Sequence, residues 1–129
     1  MTMRVELVSP ERILFSGEAD MVVARTVAGE LAFLTDHAPF LGALDIAQVK
    51  VAEPGGHEQL FAVHGGFVEV SDNRVTILSD VAELADQIDV DRARRALQDA
   101  DRLEDEDEAN AARKRAEVRI QVAEGARAG

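Results

Sequence analysis

"GGFVEVSDNRVTIL", residues 65–78, contains two short runs of alternating apolar and polar residues, "GFVEV" (66–70) and "RVTIL" (74–78), around Asp72-Asn73. Alternation with a period of two marks a half-buried strand, and the Asp-Asn pair between the runs supplies turn chemistry. The stretch therefore predicts a β-hairpin. Short runs rich in Val, Ile, Leu and Phe also recur upstream: "MRVELV" (3–8), which alternates, then "RILFSGE" (12–18), "MVVART" (21–26), "ELAFL" (30–34), "AQVKVA" (47–52) and "EQLFAV" (58–63). The separators are Ser9-Pro10, Gly29, Pro54-Gly55-Gly56 and Gly65-Gly66. Short strands punctuated at such intervals predict a mainly β N-terminal sandwich or barrel of roughly 8–10 strands, without a βαβ crossover.

The composition changes near Asp86. All five phenylalanines and all three prolines precede residue 68, whereas residues 87–129 hold 20 charged side chains against 19 in the preceding 86. This places a β-sandwich domain at 1–86 and a charged helical domain at 87–129. Asp89 suits a helix N-cap and Asp91 the positive end of the helix dipole. Val90, Ala93, Leu97 and Ala100 follow on one face. The acidic "EDEDE" (104–108) predicts a bend and the start of a second helix, with an inner stripe of Ala109, Ala112, Ala116, Arg119 or Ile120, and Ala123. The expected unit is an antiparallel two-helix hairpin. Its seam is poor in large side chains, so weak docking is expected, because a buried methylene is worth about 0.8 kcal/mol. Gly125 weakens the second helix by about 1 kcal/mol relative to alanine.

A net charge of −11 argues against a nucleic-acid or anionic-membrane binder. The chain has no cysteine, which excludes disulfides and thiolate chemistry. The N-terminus lacks the layout of a signal peptide, and no apolar run approaches the ~20 residues that span a bilayer. A soluble protein of a reducing compartment is expected. His37, His57 and His64 raise the alternative of a cupin-like metal-binding β-barrel enzyme, but no His-x-His pair occurs and His57 follows a loop-like "PGG". Asp36-His37 has no accompanying nucleophile, and neighbours on a strand point to opposite faces. With Pro39 close behind, the pair reads as a bend. Arg92, Arg94 and Arg95 cluster at the first helix start, which suits either a solvated face or a contact with an anion.

The order of these features, with "ELVSPE", "GELAFLTDHAPFL", "GGFVEV" and "VTILSDVAE", resembles the epsilon subunits of bacterial F-type ATP synthases over essentially the whole chain. Members of that family more often carry glycine where Asp36 stands. The resemblance implies a non-catalytic subunit of the central stalk. Its sandwich would contact the gamma subunit and the c-ring, helping to couple rotation to proton-driven ATP synthesis. Its hairpin would fold beside the sandwich or extend toward the catalytic alpha and beta subunits and restrain ATP hydrolysis. The implied location is the cytoplasmic face of the bacterial inner membrane, as a peripheral component held there only through the complex.

The resemblance also implies a regulatory nucleotide site. The pattern Ile/Leu-Asp-x-x-Arg-Ala is matched by Ile88, Asp89, Arg92 and Ala93. In members that bind ATP, the Asp and Arg make polar contacts, the Ile and Ala lie beside the base, and basic residues of the second helix assist. Arg113, Lys114, Arg115 and Arg119 are the candidates for that assistance here. No cofactor is otherwise required.

Overall fold

The computed structural model describes residues 1–128, with side chains through 126; Gly129, the last residue of the expected hairpin domain, lies outside the described residues. Eight strands are followed by two helices. The strands are β1 (Met3–Val8), β2 (Ile13–Ala19), β3 (Met21–Thr26), β4 (Gly29–Leu34), β5 (Phe40–Ala52), β6 (Glu58–Ser71), β7 (Arg74–Leu78) and β8 (Ala82–Leu84). A 3-10 turn at Ala85–Gln87 leads into α1 (Val90–Ala100) and α2 (Glu106–Ala128).

The hydrogen-bonded order is β2-β1-β7-β6-β5-β3-β4, with β8 added to β6. The long strands β5 and β6 pair from Phe40↔Val70 to Ala52↔Glu58 and belong to both layers of the sandwich. One layer continues from the second half of β6 to β7, β1 and β2. The other carries β3 and β4 beside β5, and β8 beside the first half of β6. All neighbours are antiparallel except β1 and β7, which run parallel.

Asp72 and Asn73 both have positive φ, 51° and 59°, as the tight turn from β6 into β7 requires. Where two strands were expected at 58–63 and 66–70, one continuous strand bends at Gly65 (φ 82°) and Gly66 (φ 121°). A Cβ on Gly66 would lie 2.0 Å from the Leu78 carbonyl oxygen, so the close approach of β7 demands glycine. The bend carries β6 from one layer into the other.

The core lies between the layers. Met3, Val5 and Leu7 of β1 and Val75 and Ile77 of β7 face Val22, Phe33, Val49, Val51, Phe61 and Val63. Phe15 and Phe61 meet edge to face at 6.1 Å. On the outside of the second layer, Val118 and Val122 of α2 cover Ala62, with Ile46, Leu60, Ala85 and Ile88 around them. Residues 61–63 are consequently buried on both faces of one strand.

The hairpin is antiparallel, and α1 rests chiefly on α2 rather than on the sheet. Its seam is the expected alanine stripe, with Ala93, Ala100, Ala109, Ala116 and Ala123 buried. The valine contact of α2 with the sheet adds docking that the stripe alone does not contain, about 1.5–3 kcal/mol at most for each fully buried valine. Gly125 also has a packing role. A Cβ there would come within 2.9 Å of Leu60 Cδ1, so its absence lets α2 settle onto the sheet.

Candidate functional site

The passage from β8 into α1 builds the first candidate site. Asp89 caps α1, its carboxylate accepting from Arg92 N at 3.0 Å. This bond fixes the first helical turn and puts Arg92 and Ala93 on the side of a cleft of about 300 Å³ lined also by Glu83, Gln87, Ala96 and Arg119. The Arg92 guanidinium makes no side-chain hydrogen bond or ion pair among the described residues, and it is exposed. Ile88 turns the other way. It packs with Val118 and Val122 and lines a separate groove.

The basic residues of α2 separate in the same manner. Arg113 bonds Asp101 at 2.9 Å and Asn110 at 2.8 Å, and Lys114 faces Asp45 at 3.6 Å. Arg115 is not part of the cleft lining. Of these four, Arg119 alone reaches it, and its Nε donates to Glu83 Oε1 at 2.7 Å. The same oxygen lies 2.8 Å from His64 Nε2, whose side chain is only 4% exposed. Burial pushes the Glu83 carboxyl upward, but the bonds from His64 and Arg119 and the guanidinium charge outweigh it, holding Glu83 below its ordinary 4.5. Glu83 therefore ties β6, β8 and α2 together as a carboxylate. No motif announces it: the pairing of Ala62 with Glu83 sets β8 beside β6.

The three histidines do not converge. The His37 ring meets Phe33 edge to face at 5.0 Å, and its Nδ1 lies 2.6 Å from the Ala38 carbonyl oxygen. His57 is in the exposed β5–β6 loop, and His64 is committed to Glu83. Among the described residues, no group of three or more His, Asp or Glu is arranged to hold a metal ion.

A second surface lies on the outer face of the layer containing β1. One row of the sheet reads Ala43, Phe67, Leu78, Val8, Ile13 across five strands. Phe67 is 58% exposed, Leu78 52% and Ile13 63%. A continuous apolar row on so acidic a protein is the kind of patch that marks an interface.

The family profile described as "ATP synthase, Delta/Epsilon chain, beta-sandwich domain" matches residues 2–85, the whole of the sandwich. The ATP synthase epsilon chain of Streptomyces griseus is 43% identical over 120 residues, covering 93% of this chain and 94% of its own. The chain belongs to the ATP synthase epsilon family. The epsilon chain of Thermobifida fusca is 48% identical, with 95% of this chain and 93% of that one covered, so the likeness extends through the helical hairpin. The epsilon fold also recurs in a chain of the Euglena gracilis mitochondrial ATP synthase assembly described as OSCP/F1/c-ring. There the TM-score is 0.74 at 23% identity, covering 98% of this chain and 80% of that one. At that identity the match shows a shared fold. No helix of this epsilon-family chain is long and apolar enough to cross a membrane among the described residues.

Proposed function

We propose that this epsilon-family chain is a non-catalytic, regulatory subunit of the central stalk, docking the gamma subunit with its sandwich and standing against the c-ring. There it helps convey rotation during proton-driven ATP synthesis, on the cytoplasmic face of the bacterial cell membrane. The observation that carries the reading is the apolar row Phe67-Leu78-Val8-Ile13, in which Phe67, Leu78 and Ile13 are exposed and Val8 half-buried, on a chain of net charge −11. Other apolar side chains, such as Val27 and Leu41, are also exposed, but this row is continuous across neighbouring strands, which suits a permanent neighbour.

The hairpin supplies the regulatory half. It is held to the sandwich by two valines of α2 and their apolar neighbours, with the Glu83–Arg119 and Asp45–Lys114 contacts, a small attachment compared with the sandwich core. Two states separated by a few kcal/mol are what a switch needs. In its extended state the hairpin reaches toward the alpha and beta subunits and restrains hydrolysis. In its docked state ATP occupies the cleft of Asp89, Arg92 and Ala93, with Ile88 behind it and Arg119 shared between Glu83 and the phosphates. Arginine forks suit phosphate oxygens, which supports Arg92 as the principal contact.

Co-purification with gamma under mild conditions tests the docking. The wild-type chain should be retained and the Phe67→Asp chain lost, while the free variant keeps its thermal stability because Phe67 is outside the core. Retention of both proteins to the same degree would sink the assignment of this face. Removal of residues 88–129 from the parent complex should raise ATP hydrolysis, and an unchanged rate would end the regulatory reading.

A further inference from the structure

On the far side of the Ile88–Asp89 linker from the nucleotide cleft lies a larger groove, of about 690 Å³, between the sandwich and the end of α2. That size falls within the range of small-molecule sites. Its floor is apolar and comes from four places in the fold: Leu14 on β2, Leu60 on β6, Leu84 on β8, and Ile88 with Ala123 at the hairpin. Its rim carries Glu53, Glu58 and Asp86, with His57 beside them, and no lysine or arginine lines it among the described residues. Lys50 meets Glu58 at 3.4 Å and offsets part of that charge, while Glu53 and Asp86 form no ion pair among the described residues.

We propose that this groove binds small hydrophobic cations, molecules with an apolar body and one positive charge. An anion is repelled by the rim. A neutral apolar molecule of the same shape strips water from the carboxylates and returns nothing. A hydrophobic cation satisfies both parts of the lining: hydrocarbon on the leucines, and charge facing Glu53 and Asp86. The site thus has the opposite preference to the arginine-bearing cleft on the other side of the linker. Because Ala123 and Ala126 belong to α2 and the remaining lining to the sandwich and linker, the groove is complete only while the hairpin is docked. A ligand there holds the hairpin down by mass action. That consequence rests on the hairpin reading given above; the binding itself does not.

Tetraphenylphosphonium is a suitable probe, and tetraphenylborate is its counterpart of the same shape and opposite charge. Amide resonances of the full chain should shift saturably at Leu60, Leu84 and Ala123 with the cation, and not with the anion. The double variant Glu53→Gln/Asp86→Asn, altered only at the rim, should bind roughly tenfold more weakly, the scale of removing two partly screened charges several ångströms away. Hydrogen exchange of α2 should slow about a hundredfold at a cation concentration of about 100 times Kd. Equal binding of the borate, or undiminished binding by the double variant, would overturn the charge preference and make the groove a general apolar surface. Shifts confined to the Phe67–Leu78 face, or none at millimolar cation, would overturn the site. Saturable groove binding without slower exchange would refute the link to hairpin docking alone and leave the site standing.

Discussion

Asp36 and Asn73 hold each other across two turns: Asn73 Oδ1 accepts from Asp36 N at 2.6 Å, and Asn73 Nδ2 donates to Asp36 Oδ1 at 3.1 Å. Both residues have left-handed backbones, Asp36 at φ 67° and Asn73 at φ 59°. Asn73 O also accepts from Arg4 N at 2.9 Å, so the clasp joins the β4–β5 turn, the β6–β7 turn and the start of β1. The Asp-His pair that invites a catalytic reading is thus a fastening between turns, with His37 packed on Phe33 beside it.

Asp36→Gly should be close to neutral in urea denaturation. Glycine relieves the left-handed backbone and keeps the amide that Asn73 accepts, while losing one exposed side-chain bond. Asp36→Ala should cost about 1–2 kcal/mol, because it loses that bond and keeps the backbone penalty. Equal losses for the two variants would show that the backbone conformation is not what matters.

Two glycines should respond differently to alanine. Gly66→Ala places a Cβ against the Leu78 carbonyl at φ 121° and should prevent stable folding or cost at least about 3 kcal/mol. Gly125→Ala meets only the flexible end of Leu60 and gains about 1 kcal/mol of helix propensity. The whole chain should therefore keep its melting temperature, while α2 amides near Leu60 exchange faster. A Gly66→Ala chain as stable as wild type would refute the close approach of β6 and β7.

Docking of α2 should weaken in acid through Glu83. Its folded-state pKa lies below the ordinary 4.5, despite burial, because His64 and Arg119 bond the charged form. The contribution is therefore complete above about pH 5 and is lost as pH falls through the lowered folded value. Glu83→Gln should flatten that part of the pH profile of α2 protection measured by hydrogen exchange. A variant with the wild-type acid profile would assign the effect to other carboxylates.

ATP binding should depend on Arg92. Calorimetric titration should give heat with the wild-type chain and none with Arg92→Ala, whose helix cap survives because Asp89 accepts from the Arg92 backbone rather than from its side chain. An absence of heat from the wild type at millimolar ATP would remove the nucleotide from the regulatory scheme.

The sandwich was legible because its strands are short runs rich in Val, Ile, Leu and Phe that end at turn residues. The hairpin was legible because its alanines repeat at helical spacing. What escaped has physical reasons. β8 is only "AEL", too short to show a period, and it exists because β6 has a free edge there. β5 starts at Phe40, seven residues before the expected run, since Gly42 and Asp45 break the alternation while the pairing with β6 continues. The valines of α2 were missed because that helix buries two faces, one on α1 and one on the sheet, which blurs a single stripe. Of the Ile88–Ala93 pattern, the fold brings Asp89, Arg92 and Ala93 to one cleft and leaves Ile88 in a separate groove, and a local pattern could not contain Glu83. Only strand pairing and helix docking bring that carboxylate beside Arg119.

The sharing of β5 and β6 between layers has a mechanical consequence. Two sheets joined only by interleaved side chains can slide over each other under a sideways force, since apolar contacts have little directional stiffness. Here any such slip must bend two covalent chains and break the ladder running from Phe40↔Val70 to Ala52↔Glu58. A force applied at one face of the molecule therefore reaches the opposite face with little loss to shear.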